Sequence, residues 1–204
     1  MVHVKTMALG DLQTNCYLVW GEDSQTCVVI DPGYSPNLIL ETVAKLGKTP
    51  EAIFLTHGHF DHVGAVEDIV NATGCALWMR EGDWSQKPSP FVMQLFPLAN
   101  CDFCEVQFYE NGETLSLAGL EFTVLETPGH SWGSVCIRTE DVLFSGDTLF
   151  AGSIGRTDFP GSSPEAMADS LAFLKEIPED LKVYPGHGEA TSLEKEKKYN
   201  PYLR

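Results

Sequence analysis

AIFLTHGHFDH, Ala52 to His62, changes character at Thr56, where an apolar run gives way to three histidines and an aspartate. The leading AIFL is short and wholly apolar, as a strand buried on both faces would be. His57 and His59 are two apart at its end, so in extended backbone their imidazoles point the same way and can share one ion. Asp61 opens a helix, DHVGAVEDIVNATG, in which Val63, Val66, Ile69 and Val70 form one apolar face. Asp61 and His62 are adjacent, and in a similar extended backbone their side chains diverge, which suits a second ion or a supporting role. The spacing differs from the helical HExxH pair, so this is a loop site, and Gly58 and Gly64 permit its tight path. Strand, ligand loop, helix is where open α/β sheets place their sites.

Outward from this stretch, VHVKTMAL, NCYLVW and TCVVID read as strands, the last ending at Pro32 and Gly33. A helix follows from Pro36, with Leu38, Ile39, Val43 and Leu46 at helical spacing and Gly47 as its cap. Residues 80–104 interrupt the pattern with prolines and an apolar centre, and read as a lid or an interface. Beyond them EVQFY, ETLSL, EFTVLET, SVCIRTE and DVLFSGD form a second run of strands. A helix from Pro164 to Lys175, a KVYP strand and a lysine-rich helix complete the chain, and the EKEKK run, Glu194 to Lys198, reads as a solvated face. The expectation is one domain over residues 1–204, an α/β layered sandwich.

Composition narrows the function. With 43% hydrophobic and 21% charged residues among 204, the chain can bury a sizeable core. No apolar run reaches the roughly 18 residues that span a bilayer. The start, MVHVKTMALGDLQTN, lacks a secretory pattern, so a cytoplasmic location without membrane attachment is expected. A net charge of −16 opposes nucleic acid and anionic lipid as partners. Cys16, Cys27, Cys75, Cys101, Cys104 and Cys136 are expected as thiols, since a cytoplasmic chain of this size does not need disulfides. Cys101 and Cys104 form a lone CxxC, and no second pair supports a zinc reading.

The other histidines are informative by position. His130 lies in TPGHSWG and His187 in YPGHGE, each after a β-like segment and a Pro-Gly turn, and Asp147 lies in FSGDTLF, again at a strand end. Any one alone reads as a hydrogen-bonded turn residue. Together with the cluster they read as a metal site. His3 has no such context.

These residues resemble the metallo-β-lactamase-fold superfamily, whose signature is HxHxDH followed by separated His, Asp and His. The resemblance implies a four-layer αββα sandwich with two divalent metal ions at one edge, zinc foremost, with iron or manganese also suited to such ligands. Carried over by position, His57, His59 and His130 hold the first ion, Asp61, His62 and His187 the second, and Asp147 bridges them. Asp31, in VVIDPG, would support the ligand loop. Two ions roughly 3.5 to 4 Å apart lower the pKa of a bound water towards 7. The resulting hydroxide can attack a thioester, ester or lactone, and Asp61 can orient it or take its proton. GRTDFPG (Gly155 to Gly161), PGHG and the late NPYL look most like the glyoxalase II group, implying hydrolysis of S-lactoylglutathione. The chain stops soon after His187, short of the helical domain with which long members grip glutathione, which leaves the thiol part open.

Other readings remain at this point. The persulfide dioxygenase branch also has a GRTDF stretch and uses one iron, which His57, His130 and Asp147 would hold here. A lactone or other ester hydrolase is a third reading, and a non-catalytic metal-binding protein a fourth. Arg156 can bind a substrate carboxylate or pair with Asp158. Trp84, Phe91, Phe96 and Phe159 can wall a substrate pocket or simply pack.

Overall fold

The computed structural model describes residues 1–85, 94–98, 102 and 104–204. Phe91 and Cys101, and with Cys101 the CxxC pair, lie outside the described residues. The first half forms β1 (Val2–Leu9), β2 (Thr14–Gly21), β3 (Thr26–Ile30), α1 (Pro36–Lys45), β4 (Thr49–Phe54), α2 (Phe60–Val63), α3 (Val66–Thr73), β5 (Ala76–Met79), α4 (Glu81–Trp84) and β6 (Val106–Phe108). The second forms β7 (Thr114–Leu117), β8 (Leu120–Glu126), β9 (Val135–Thr139), β10 (Val142–Gly146), β11 (Leu149–Phe150), β12 (Ser153–Ile154), α5 (Pro164–Glu176), β13 (Lys182–Pro185), β14 (Thr191–Ser192) and α6 (Leu193–Tyr199). One six-stranded sheet runs β1-β2-β3-β4-β5-β6, the other β14-β13-β10-β9-β8-β7, and β11 pairs with β12.

Alternation along the strands sets the layers. Tyr17, Val19, Val28, Ile30 and Phe54 meet Phe122, Val124, Ile137 and Phe144 in one buried cluster between the sheets. Their neighbours Leu18, Val29, Ile53 and Leu77 point the other way, onto Ile39 and Val43 of α1 and Val66 and Ile69 of α3. In the second sheet Cys136, Leu143 and Val183 face Met167, Leu171 and Leu174 of α5. Strands buried on both faces lose the apolar/polar alternation and become continuously apolar, as AIFL does. The expected αββα sandwich is the fold. No helix among the described residues is long and apolar enough to cross a membrane.

Several expectations need correction. The helix read from Asp61 through Gly74 is two helices, α2 and α3, separated at Gly64 and Ala65. The chain turns there to pack on the end of β3: Ala65 N donates to Pro32 O at 2.9 Å, and a Cβ on Gly64 would lie 2.4 Å from Gly33 O. The EKEKK run is not wholly solvated. Glu196 is buried, and its carboxylate accepts from Gly152 N, Thr191 Oγ1 and Asn200 Nδ2. Asn200, the first residue of NPYL, also donates to Phe150 O and Ser153 O, so the last helix clamps the β11–β12 hairpin. Trp84 packs against Phe108 and walls no part of the site. The short strands β5, β11, β12 and β14 were not foreseen, being too brief to show a period. Cys16, Cys27, Cys75 and Cys136 are buried thiols, as expected.

A candidate metal site at the strand ends

Each site residue follows the carboxyl end of a strand: Asp31 after β3, the histidine cluster after β4, His130 after β8, Asp147 after β10 and His187 after β13. β3 and β4 run parallel, as do β10 and β13, and β8 is two antiparallel steps from β10, so it shares that direction. Hydrogen bonds join the two sheets at this edge. Val135 N donates to Thr56 O at 2.9 Å, and Asn15 N to Gly186 O at 2.7 Å. The Asn15 side chain also donates to Pro185 O and Gly188 O, fixing the turn that carries His187.

Two triads form within this frame. His57, His59 and His130 each place a ligand-capable atom within 4.8 Å of the other two, and so do Asp61, His62 and His187. Asp147 lies between them, with Oδ1 3.4 Å from His62 Nε2 and Oδ2 3.5 Å from His130 Nε2 and 3.6 Å from His187 Nε2. Adjacent Asp61 and His62 do not diverge as expected. They lie in helical α2, where successive side chains are not opposed, and His62 Nε2 is 3.6 Å from Asp61 Oδ2.

Outer partners aim the rings. His62 Nδ1 donates to Asp31 Oδ2 at 3.0 Å, His130 Nδ1 to Arg156 O at 2.9 Å and His187 Nδ1 to Leu12 O at 3.1 Å. His57 Nδ1 lies 3.1 Å from Thr56 Oγ1, whose own proton goes to Asp31. These four rings each anchor one nitrogen and turn the other inward, as supported metal ligands do, whereas His59 Nε2 has no partner among the described residues. His59 Nδ1 and His130 Nε2 face each other at 2.8 Å. Buried His57 Nε2, His62 Nε2 and Asp147 Oδ1 have no hydrogen-bond partner among the described residues. Buried polar atoms are ordinarily satisfied, and a divalent cation satisfies inward-turned imidazole nitrogens and carboxylate oxygens. The residues present fit a metal.

The electrostatics divide the triads. Burial and the surrounding histidines hold His57 well below the usual imidazole range, and burial with His130 and His62 pulls His59 down to about 3. For His62 and His187 burial acts downward too, but the carboxylates outweigh it. Asp147 and Asp31 raise His62, and Asp61 and Asp147 raise His187. Asp61 is lowered overall: burial works against ionisation, but His187 and His62 overcome it.

Two carboxylates stand behind the ligands. Asp31, expected in this role, accepts from Thr56 N at 2.8 Å, Thr56 Oγ1 at 2.6 Å and His62 at 3.0 Å. Its oxygen also comes within ligand distance of His57 and His62, but with these donors in place it serves as a brace. Asp83 was missed. It is buried, and its carboxylate accepts from Gly58 N at 2.8 Å, Ser131 Oγ at 2.7 Å and Gly133 N at 2.7 Å. It thus ties the loop between His57 and His59 to the loop after His130. Burial pushes its carboxyl upward, and those three donors offset this only in part. In sequence Asp83 is one acid in REGDW, with no motif to mark it. Close approach also needs glycine at Gly186, where a Cβ would lie 2.1 Å from Asp147 Oδ1.

A cavity of about 470 Å³ opens over the triads, lined by His59, Asp61, His130, Asp147 and His187 with Phe60, Leu95, Phe150, Ile154, Phe159 and Arg156 among others. Arg156 is exposed and engaged: Nε and Nη2 donate to both Asp158 oxygens at 2.6 and 2.7 Å, and the guanidinium lies 3.8 Å over the Phe159 ring. Phe96 and Phe159 do reach the site, packing against the His59 ring.

Residues 9–187 match the model of the metallo-beta-lactamase superfamily. The chain belongs to that superfamily. It is 34% identical over 209 residues to hydroxyacylglutathione hydrolase GloC of Haemophilus influenzae, covering 99% of this chain and 98% of that one. Among solved structures it is similar to TTHA1623 in a di-iron-bound form, at 38% identity and a TM-score of 0.84, covering 98% of this chain and 100% of that one. ETHE1 from Myxococcus xanthus aligns at 29% identity and a TM-score of 0.82, over 98% of this chain and 83% of that one. Superfamily membership and the His/Asp clusters support a metal-dependent enzyme.

Proposed function

We propose that the chain is a binuclear metallohydrolase of acyl thioesters, with S-lactoylglutathione as the first substrate to test and zinc as the first metal. The observation that carries this is the pair of complete triads with Asp147 between them. His57, His59 and His130 would hold one ion, Asp61, His62 and His187 the other, and Asp147 would touch both. Metal bound there supplies a Lewis acid for the substrate carbonyl and a water acidified to near neutrality.

The chain's own groups do the rest. Asp61 Oδ2 is held by Thr14 Oγ1 at 3.1 Å and lies 3.2 Å from His187 Nε2, so it faces the centre in a fixed pose. Its lowered pKa keeps it ionised, able to orient a nucleophile by accepting its hydrogen bond, and fits that role better than proton abstraction. Phe60, Phe150 and Phe159 line the cavity beside these groups. A nucleophilic serine or cysteine is not required. The likeness to GloC of Haemophilus influenzae supports the thioester reading.

The likeness to ETHE1 favours a second reading, a single-iron persulfide dioxygenase held by His57, His130 and Asp147. The second triad has no task in that chemistry, so the hydrolytic reading is preferred. Elemental analysis with a thioester and lactone panel decides between them. About two equivalents of metal with thioester turnover are expected. One iron with oxygen uptake on glutathione persulfide would replace this reading by the second.

A further inference from the structure

The cavity over the triads does not end at the ligands. A second hollow of about 290 Å³, lined among the described residues by Phe60, Gln94, Leu95 and Phe159, adjoins it through the shared Phe60, Leu95 and Phe159. Three of these four residues are apolar. Phe60 is 40% exposed, and Leu12, which also lines the main cavity, is 51% exposed. Exposed large apolar groups side by side at a site mark where apolar ligand surface is taken up.

The charge pattern offers little to a ligand held through its carboxylates. Among the described lining residues of both hollows Arg156 is the sole Lys or Arg, and both oxygens of Asp158 occupy its fork. A thiol carrier recognised through its own carboxylates would have to break the Arg156–Asp158 pair first. A hydrocarbon tail needs no such exchange.

We infer that the Phe60–Leu95–Phe159 hollow is an acyl-chain subsite, so that the preferred substrates carry a neutral, apolar acyl chain longer than lactoyl. This rests on the hydrolytic reading only for the word substrate. The subsite itself is a binding claim, testable without turnover. The reacting carbonyl sits over the triads, and the chain beyond it runs along Phe60 and Phe159 towards Leu95. Binding energy then comes from the acyl side, with little selection on the thiol.

The test is calorimetric binding of n-alkyl carboxylates from acetate to octanoate to metal-loaded protein, and of n-alkanols from ethanol to octanol to metal-free protein. Each added methylene should tighten binding about fourfold until the hollow is filled, the equivalent of ~0.8 kcal/mol per buried methylene. The slope should appear in both forms, because the hollow contains none of the ligands. In Phe60→Asn and in Phe159→Ser the octanoate-to-acetate ratio should fall by at least about fourfold, the loss of one or more methylenes' worth of contact. Circular dichroism verifies that each variant is folded, and having two variants guards against one failing to fold. Affinity that does not vary with chain length overturns the inference. So does S-methylglutathione binding more tightly than octanoate and losing that advantage in Arg156→Ala. Failure of thioester turnover with the slope intact would count against the hydrolytic reading alone.

Discussion

Replacing Asp83 by asparagine tests whether a residue outside both triads holds the first one in shape. Oδ2 accepts from Gly58 N and Ser131 Oγ, and Oδ1 accepts from Gly133 N. In either flip of the Asp83→Asn amide, its NH2 group faces one of the two backbone N–H groups. That N–H is buried and loses its acceptor, at a cost of about 1–3 kcal/mol. Ser131 is spared, because its hydroxyl also reaches Ser134 Oγ at 2.8 Å. A neutral amide is easier to bury than the carboxylate it replaces, which returns part of the loss, so the net expectation is about 1–2 kcal/mol. For a chain of this length that lowers the melting temperature by about 2–8 °C. Thermal unfolding of metal-free protein followed by circular dichroism reads the stability, and elemental analysis of reloaded protein reads the site. Gly58 separates His57 from His59, and Ser131 follows His130, so metal should be lost from the first triad before the second. A variant melting within about 1 °C of the parent, with unchanged metal content, would refute the strut argument.

Other expectations follow from the same geometry. Asp147→Ala should remove turnover and lower metal content together while far-ultraviolet circular dichroism stays the same; full activity with both ions retained would show that Asp147 does not bridge. Gly186→Ala should displace Asp147, because the new Cβ would sit 2.1 Å from its Oδ1, and reduced metal affinity by competition with a chelator is the readout. Acidification should empty the second triad first. His62 and His187 have raised folded pKa values, so they hold protons that metal must expel, and affinity there falls as pH drops through those values. His57 and His59, pulled downward, meet no such competition in mild acid. Metal titrations between about pH 8 and about pH 5 should show one equivalent weakening ahead of the other; simultaneous loss would contradict this. Burial also pushes the Cys27 thiol up to about 12 and the Cys136 thiol up to about 11. Peptide mapping after alkylation near neutral pH should find both unmodified until the protein is unfolded, because the thiolate is the reactive form.

The sequence by itself determined a layered α/β sandwich and marked seven His and Asp residues that the structure gathers at one edge, while the four-layer αββα order and the ligand roles were implied by the family resemblance. Continuous apolar runs such as AIFL require cover on both faces, and His57, His59, Asp61 and His62 sit together in the chain. His130, Asp147 and His187 shared a readable context, a turn at a strand end. Only the tertiary structure decided what depends on partners far away in the chain. Asp83 is an ordinary acid until Gly58, Ser131 and Gly133 converge on it. The 61–74 run reads as one helix until Ala65 N turns to Pro32 O, beside Gly33, where Gly64 leaves no room for a Cβ. Glu196 belongs to a charged run until the β11–β12 hairpin covers it. Arg156 suits a substrate carboxylate or Asp158 equally in sequence and pairs with Asp158 in space. Periodicity and spacing record which face of its own element a residue occupies, whereas hydrogen-bond satisfaction and close packing depend on what the other elements bring to that face.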